Sequence, residues 1–378
     1  MHTQYELLEQ NMEKLSGLWL VLNLWCLTVI SSQSIDQVPQ VPCFFIFGDS
    51  LVDNGNNNQI LTLARSNYDP YGIDFSQGAT GRFTNGRTFV DILAQLLGFP
   101  NYIPPNSRTM GREILRGVNY ASGASGIRDE TGNNLGDHMS MTQQIGSFAR
   151  TVQQMIRFFR GDVAAAGNYL NKCIFYSGLG SNDYLNNYFM TDYYSTSSNY
   201  TPSAYAAALI QDYSKQLTEL YNLGARKVAV ASVGNIGCIP YHLARYNGND
   251  SKCNEEINRA VELFDVGLKN LVDRFNNGQL RGAKFVYLDS SQASQELILN
   301  AKSYGFEVFD KGCCGVGKNN GQITCLPLQT PCDDRGKYIF WDAFHPTENV
   351  NILLAKNAYS SKSKSFAYPI NIQQLAML

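Results

Sequence analysis

Ser50, Asp342 and His345 are the side chains whose types could carry out acyl transfer, provided the chain brings them together. That chemistry needs a nucleophile, a base to take its proton, a group that orients the base, and donors for the oxyanion. Ser50 follows the run F-F-I-F-G-D at Phe44 to Asp49. A short apolar run bounded by glycine reads as a fully buried strand, and Gly48 permits a sharp turn at its end. Ser50 is then expected at the carboxyl edge of a central strand, where open α/β sheets bind ligands. Of the four histidines, His2 lies in a segment expected to be removed, and His138 and His242 have no acid at useful spacing. His345 stands in W-D-A-F-H-P-T, three residues after Asp342 and directly before a helix start. In a tight turn, that spacing lets the carboxylate reach Nδ1 and leaves Nε2 to face Ser50. The bland alternative is that Asp342 and His345 only cap the last helix; the presence of Ser50 tips the balance toward catalysis.

Oxyanion donors have three sources: the backbone N–H of Ser50, the backbone at Gly123 in a glycine-rich turn, and the side-chain amide of Asn182. Asparagine is often only a turn former. Three strand ends converging on one sheet edge is more than turn chemistry accounts for. Other motifs carry less. Gly178-Leu179-Gly180 lacks the third glycine of a dinucleotide fingerprint, and a lone G-x-G is weak. The G-x-S-x-G elbow is absent, since Ser50 lies in G-D-S-L. Asp49 reads as a structural hydrogen-bonding residue. Cys313 and Cys314 are adjacent, with no C-x-x-C or H-E-x-x-H spacing, which argues against a metal site.

The positioning elements alternate. Strands are expected at Phe44–Phe47, within Gly117–Gly126, at Lys172–Leu179, at Arg226–Val233 and at Ala283–Leu288. Helices are expected from the apolar spacing of Val90, Leu93, Leu96 and Leu97, of Ile145 to Phe159, of Ala206 to Leu220, and of Ile257 to Phe275. A last helix is expected to open at Pro346. Asp69 to Arg87 reads as an ordered loop covering something, and Asp192 to Thr201 as a surface loop. Strands alternating with helices argue for an α/β fold with a mostly parallel sheet covered on both faces.

Four blocks, G-D-S-L-V-D-N-G-N-N-N, N-Y-A-S-G-A-S-G-I, G-S-N-D-Y and F-W-D-A-F-H-P-T-E, resemble those of the GDSL branch of the SGNH hydrolases. The plant GDSL esterase/lipase group is the nearest match, over about Val41 to about Pro369. The resemblance implies Ser50 as nucleophile, Gly123 and Asn182 as oxyanion donors, Asp342 as orienter and His345 as base. It also implies a flavodoxin-like three-layer α/β/α sandwich, no metal or organic cofactor, and a lipid or other acyl ester as substrate. Two rivals are a transacylase building lipid polyester with the same site, and a catalytically silent wall-associated binding protein.

Residues 1–34 carry the layout of a secretory signal: Lys14 precedes an apolar run from Leu18 to Ile30, and small residues follow at Ser31, Ser32 and Ser34. The run is too short and interrupted for a spanning helix, which needs about 20 apolar residues, so no stable membrane anchor is expected. Met12 is a candidate start. Cleavage would remove three glutamates and one lysine, taking the formal net charge from −2 to zero. A neutral chain lacks the cationic excess that phosphate backbones demand, so nucleic acid is an unlikely partner. The eight remaining cysteines suggest disulfides in an extracellular or cell-wall protein. Cys43 and Cys173 lie near the starts of strands that could be neighbours. Cys238 with Cys253 would close a loop of about 15 residues, worth roughly 3 kcal/mol in the chain-entropy model. Sequons at Asn199 and Asn249 suit the same route. Without a linker or internal repeat, residues 35–378 read as a single domain.

Overall fold

The computed structural model describes residues 38–246 and 252–378; the signal segment and the Asn249 sequon lie outside the described residues. Residues Pro39–Leu378 form one compact unit. A five-stranded sheet runs through it, with β1 at Phe44–Gly48, β2 at Ile174–Gly178, β3 at Lys227–Ala231, β4 at Lys284–Leu288 and, at the far edge, β7 at Ala367–Tyr368. β1 to β4 pair in parallel and in register, and only β7 is antiparallel. Because β1 to β4 start and end level, Gly48, Gly178, Ala231 and Leu288 share one carboxyl edge.

Both faces of this sheet are dry, so its strands are apolar throughout rather than alternating. Phe45, Phe47, Phe175, Val228, Val230 and Phe285 point to one side. There they meet helices α2 (Met141–Phe158), α3 (Pro202–Asn222) and α4 (Glu255–Arg274) through Phe148, Leu209, Leu217, Phe264 and Leu268. The other face sets Phe44, Ile46, Ile174, Tyr176, Ala229 and Val286 against α1 (Phe89–Leu96), α6 (Glu348–Ser360) and α7 (Ile372–Met377). The three-layer α/β/α arrangement is therefore the one expected. A further helix, α5 (Ser290–Leu299), follows β4. A separate two-stranded parallel pair, β5 (Val308–Gly312) and β6 (Tyr338–Phe340), leads directly into Asp342.

Two elements differ from expectation. The strand expected within Gly117–Gly126 is an irregular ribbon beside β1: Tyr120 N–H donates to Ile46 O at 2.8 Å and Ser122 N–H to Gly48 O at 3.1 Å. Asn119 breaks its regularity, because its side chain takes Val52 O and accepts from Ala121 N–H. The helix expected to be the last begins at Glu348, not Pro346, since Thr347 keeps an extended backbone as its N-cap and Pro346 bridges back to Phe340, and α7 follows it. Four disulfides are present, Cys43–Cys173 and Cys238–Cys253 as expected, with Cys313–Cys332 and Cys314–Cys325. Asn199 is exposed at the end of a short helix, Thr196–Asn199, inside the expected surface loop.

Candidate active site

Ser50 leaves β1 on a tight turn in which Val52 and Asp53 both donate their N–H to Asp49 O. Gly48 is required there: a Cβ would lie 2.5 Å from Val52 Cγ2 and 3.1 Å from Gly178 O. Gln144, buried on α2, holds Gly48 through both its backbone groups, accepting from Gly48 N–H at 3.0 Å and donating to Gly48 O at 2.8 Å. The sequence reading missed Gln144. A polar residue on the apolar stripe beside Ile145 and Phe148 was the available signal. Asp49 accepts from Leu51 N–H at 3.0 Å, and burial pushes its carboxyl up to about 6.

His345 and Asp342 come from the turn between β6 and α6, closed by Trp341 N–H donating to His345 O at 2.8 Å. Asp342 Oδ1 accepts from the backbone N–H of Phe344 at 2.9 Å and of His345 at 2.8 Å. Imidazole Nδ1 lies 2.8 Å from both carboxylate oxygens, and Nε2 lies 2.7 Å from Ser50 Oγ. Residues 295 positions apart thus share a hydrogen bond. Burial opposes the charge on Asp342, but the imidazole beside it, with the hydrogen bonds from His345 and Tyr71, holds its carboxyl below the ordinary value. Phe83 lies against the imidazole, 5.1 Å between ring centres.

Asn182 sits in a one-turn helix after β2, entered through Gly180 at φ 124°. Its amide is fixed at both ends: Nδ2 donates to Ser125 O at 2.9 Å and Oδ1 accepts from Asn186 Nδ2 at 2.7 Å. One N–H of Nδ2 is left without a protein partner among the described residues, as is the backbone N–H of Ser50. Gly123 departs from expectation. Its N–H is taken by the buried Asp53 carboxylate at 3.0 Å, so it is not free for an oxyanion. The neighbour, Ala124, lines the same cavity as Ser50, Asn182 and His345 and has φ 71°. Its N–H has no partner among the described residues. A left-handed conformation costs a non-glycine residue about 1–2 kcal/mol and persists only where surroundings enforce it. Here Asp53 does so from below, and Asn57, whose amide donates to Gly123 O at 3.0 Å, does so from the side.

The cavity measures about 420 Å³. Its walls are mainly apolar and include Leu63, Phe83, Leu135, Leu185, Met190, Ile236, Leu297, Val350 and Leu354. Apolar walls with a few fixed polar groups suit an apolar ligand oriented by one polar centre. His138 and His242 lie outside this constellation, His138 half-buried beside Gly136 O and His242 buried near Tyr241. Among the described residues, no helix is long and apolar enough to cross a membrane.

Comparison with known proteins adds a second line of observation. Residues 44–358 match the family described as GDSL-like Lipase/Acylhydrolase. GDSL esterase/lipase At1g33811 of Arabidopsis thaliana is 66% identical over 345 residues, which is 90% of this chain and 93% of the relative. GDSL esterase/lipase At4g18970 of the same plant is 53% identical over 340 residues, 90% of this chain and 94% of the relative.

Proposed function

Because this chain belongs to the GDSL-like lipase/acylhydrolase family and is a carboxylic ester hydrolase, we propose that it works through an acyl-enzyme on Ser50. His345 Nε2 takes the Ser50 Oγ proton as the oxygen attacks the ester carbonyl. Asp342 keeps the imidazole in the tautomer that presents Nε2 and stabilises the imidazolium that forms. The carbonyl oxygen, now an anion, meets the N–H of Ser50 and the free N–H of Asn182. The Ala124 N–H takes the third place expected of Gly123. His345 then returns its proton to the departing alkoxide. Water, deprotonated by the same imidazole, releases the acid.

The observation that carries this reading is the 2.7 Å contact between Ser50 Oγ and His345 Nε2, with Asp342 behind it. The apolar cavity supports an ester with a hydrocarbon acyl chain, a lipid among them. Ser50→Ala should cut turnover of short p-nitrophenyl esters by roughly 10⁶, the scale for losing a triad nucleophile, and abolish labelling by a fluorophosphonate. Retained turnover in that variant ends the proposal. The same reading includes secretion, supported by the apolar run Leu18–Ile30 and by four disulfides. Asn199 and Asn249 are then glycan acceptors. Protein recovered from the medium should begin near residue 35 and lose mass on deglycosylation.

A further inference from the structure

Two segments without periodic signal, the loop Asp69 to Arg87 and the cysteine-rich stretch 313–332, each send a hydroxyl to one oxygen. Tyr71 Oη donates to Asp342 Oδ2 at 2.5 Å, and Thr324 Oγ1 donates to the same oxygen at 3.0 Å. The two hydroxyls are 2.9 Å from each other. Neither is there by accident of exposure. Tyr71 is 1% exposed, its ring held edge-on by Tyr68, Phe83 and Trp341. Thr324 is tied down by the next residue, Cys325, through its bridge to Cys314. The two segments are also sewn together: Tyr68 Oη donates to Cys325 O at 2.9 Å, and Leu328 N–H donates to Asp69 O at 2.8 Å.

We propose that Tyr71 and Thr324 are positioning residues for the Asp342–His345 pair, acting on the carboxylate rather than on substrate. Their hydroxyls saturate Oδ2, while the turn's own N–H groups saturate Oδ1, so the carboxylate plane has one orientation. Each hydroxyl also withdraws charge from Oδ2 and moderates how strongly the carboxylate holds a proton on the imidazole. The titratable groups bearing on Asp342 are the His345 imidazole and the phenols of Tyr71 and Tyr68. Burial, followed by the Asp342 charge, pushes the Tyr68 phenol up to about 12 and the Tyr71 phenol well above its ordinary value. Both phenols therefore remain donors wherever the enzyme works. This inference rests on the reading of Ser50, Asp342 and His345 given above.

Tyr71→Phe keeps the ring and removes only the hydroxyl; Thr324→Val keeps the shape, and Thr324→Ser restores the donor. With a short p-nitrophenyl ester, Tyr71→Phe should lower kcat about tenfold, the scale of one charge-assisted hydrogen bond, with KM little changed. The acidic limb of kcat/KM should move up by about one pH unit, because the less neutralised carboxylate holds the imidazolium longer. Thr324→Val should do the same more weakly, and Thr324→Ser should behave as the wild type. Lower melting temperatures with an unmoved acidic limb and unchanged kcat would reduce both residues to structural roles and overturn the inference. If Tyr71→Phe does not fold, the threonine pair decides the question by the same limb. Ser50→Ala is run alongside: if it is inactive while the limb stays fixed, only the positioning role fails. If it is active, the reading of the site itself has failed.

Discussion

Asp53 and Asp342 are both wholly buried, one three residues after Ser50 and the other three before His345, yet their surroundings treat their charge in opposite ways. Asp53 underlies the Ser50 side of the cleft, where it accepts backbone N–H groups from Gly55, Asn56 and Gly123. Burial outweighs those dipoles and pushes its carboxyl up to about 6. On that side Asp49 and Asp183 are pushed to about 6 for the same reason. Asp342 suffers the same desolvation but has an imidazole 2.8 Å away and two hydroxyls on its outer oxygen, and it is held below its ordinary value. At Asp49, Asp53 and Asp183 the hydrogen bonds they accept do not offset burial, whereas at Asp342 the imidazole and the hydrogen bonds beside it do. The Ser50 side is thus built to hold shape, and the His345 side to hold a charge.

The largest test of that contrast is Asp342→Asn. The amide can no longer select the imidazole tautomer or stabilise the imidazolium, and kcat should fall by about 10⁴. A loss of less than tenfold would put Asp342 in the same structural class as Asp53. Next in size is Asn182→Ala, which removes one fixed donor from the Ser50 side and should cost about 10²–10³ in kcat with KM nearly constant. A change confined to KM would show that the amide binds ground-state substrate instead.

The smallest effect is on stability and has opposite signs on the two sides. Asp53 has a folded-state pKa above its unfolded value of 3.8. The stability it contributes is complete below pH 4 and is lost as pH rises through about 6. The loss is on the order of 3 kcal/mol. Asp342, with a lowered pKa, contributes stability present above its unfolded value and lost only as pH falls through its folded one, outside that window. Melting temperature should therefore decline from pH 4 to pH 6, and the decline should be shallower in Asp53→Asn. An identical slope in wild type and variant would remove Asp53 from the account.

Much of this site was legible before folding. Ser50 follows an apolar run and Gly48, and Asp342 stands three residues before His345; both are local patterns with local physical causes. Asn182 was legible as a polar residue just beyond a strand end. Gly123 misled, because nothing in G-V-N-Y-A-S-G-A-S-G reports that a carboxylate from G-D-S-L-V-D reaches up to claim its N–H. Pro346 misled by its ordinary preference for a first helical turn, which its bridge to Phe340 overrode. Tyr71, Thr324 and Gln144 were missed. The first two lie in stretches with no periodicity, and Gln144 was absorbed into an amphipathic helix.

The sequence by itself determined the parallel strands β1 to β4 and the helices α1 to α4, since periodicity and turn chemistry act over a few residues. It also determined the chemical types present at the strand ends. Only the tertiary structure decided which hydroxyls complete Asp342, which N–H groups remain free, and that Ser50 lies beside His345. Those outcomes depend on contacts between segments up to 295 residues apart. Their geometry is set by the level carboxyl edge of the sheet and the packing of both its faces, and no local pattern encodes either.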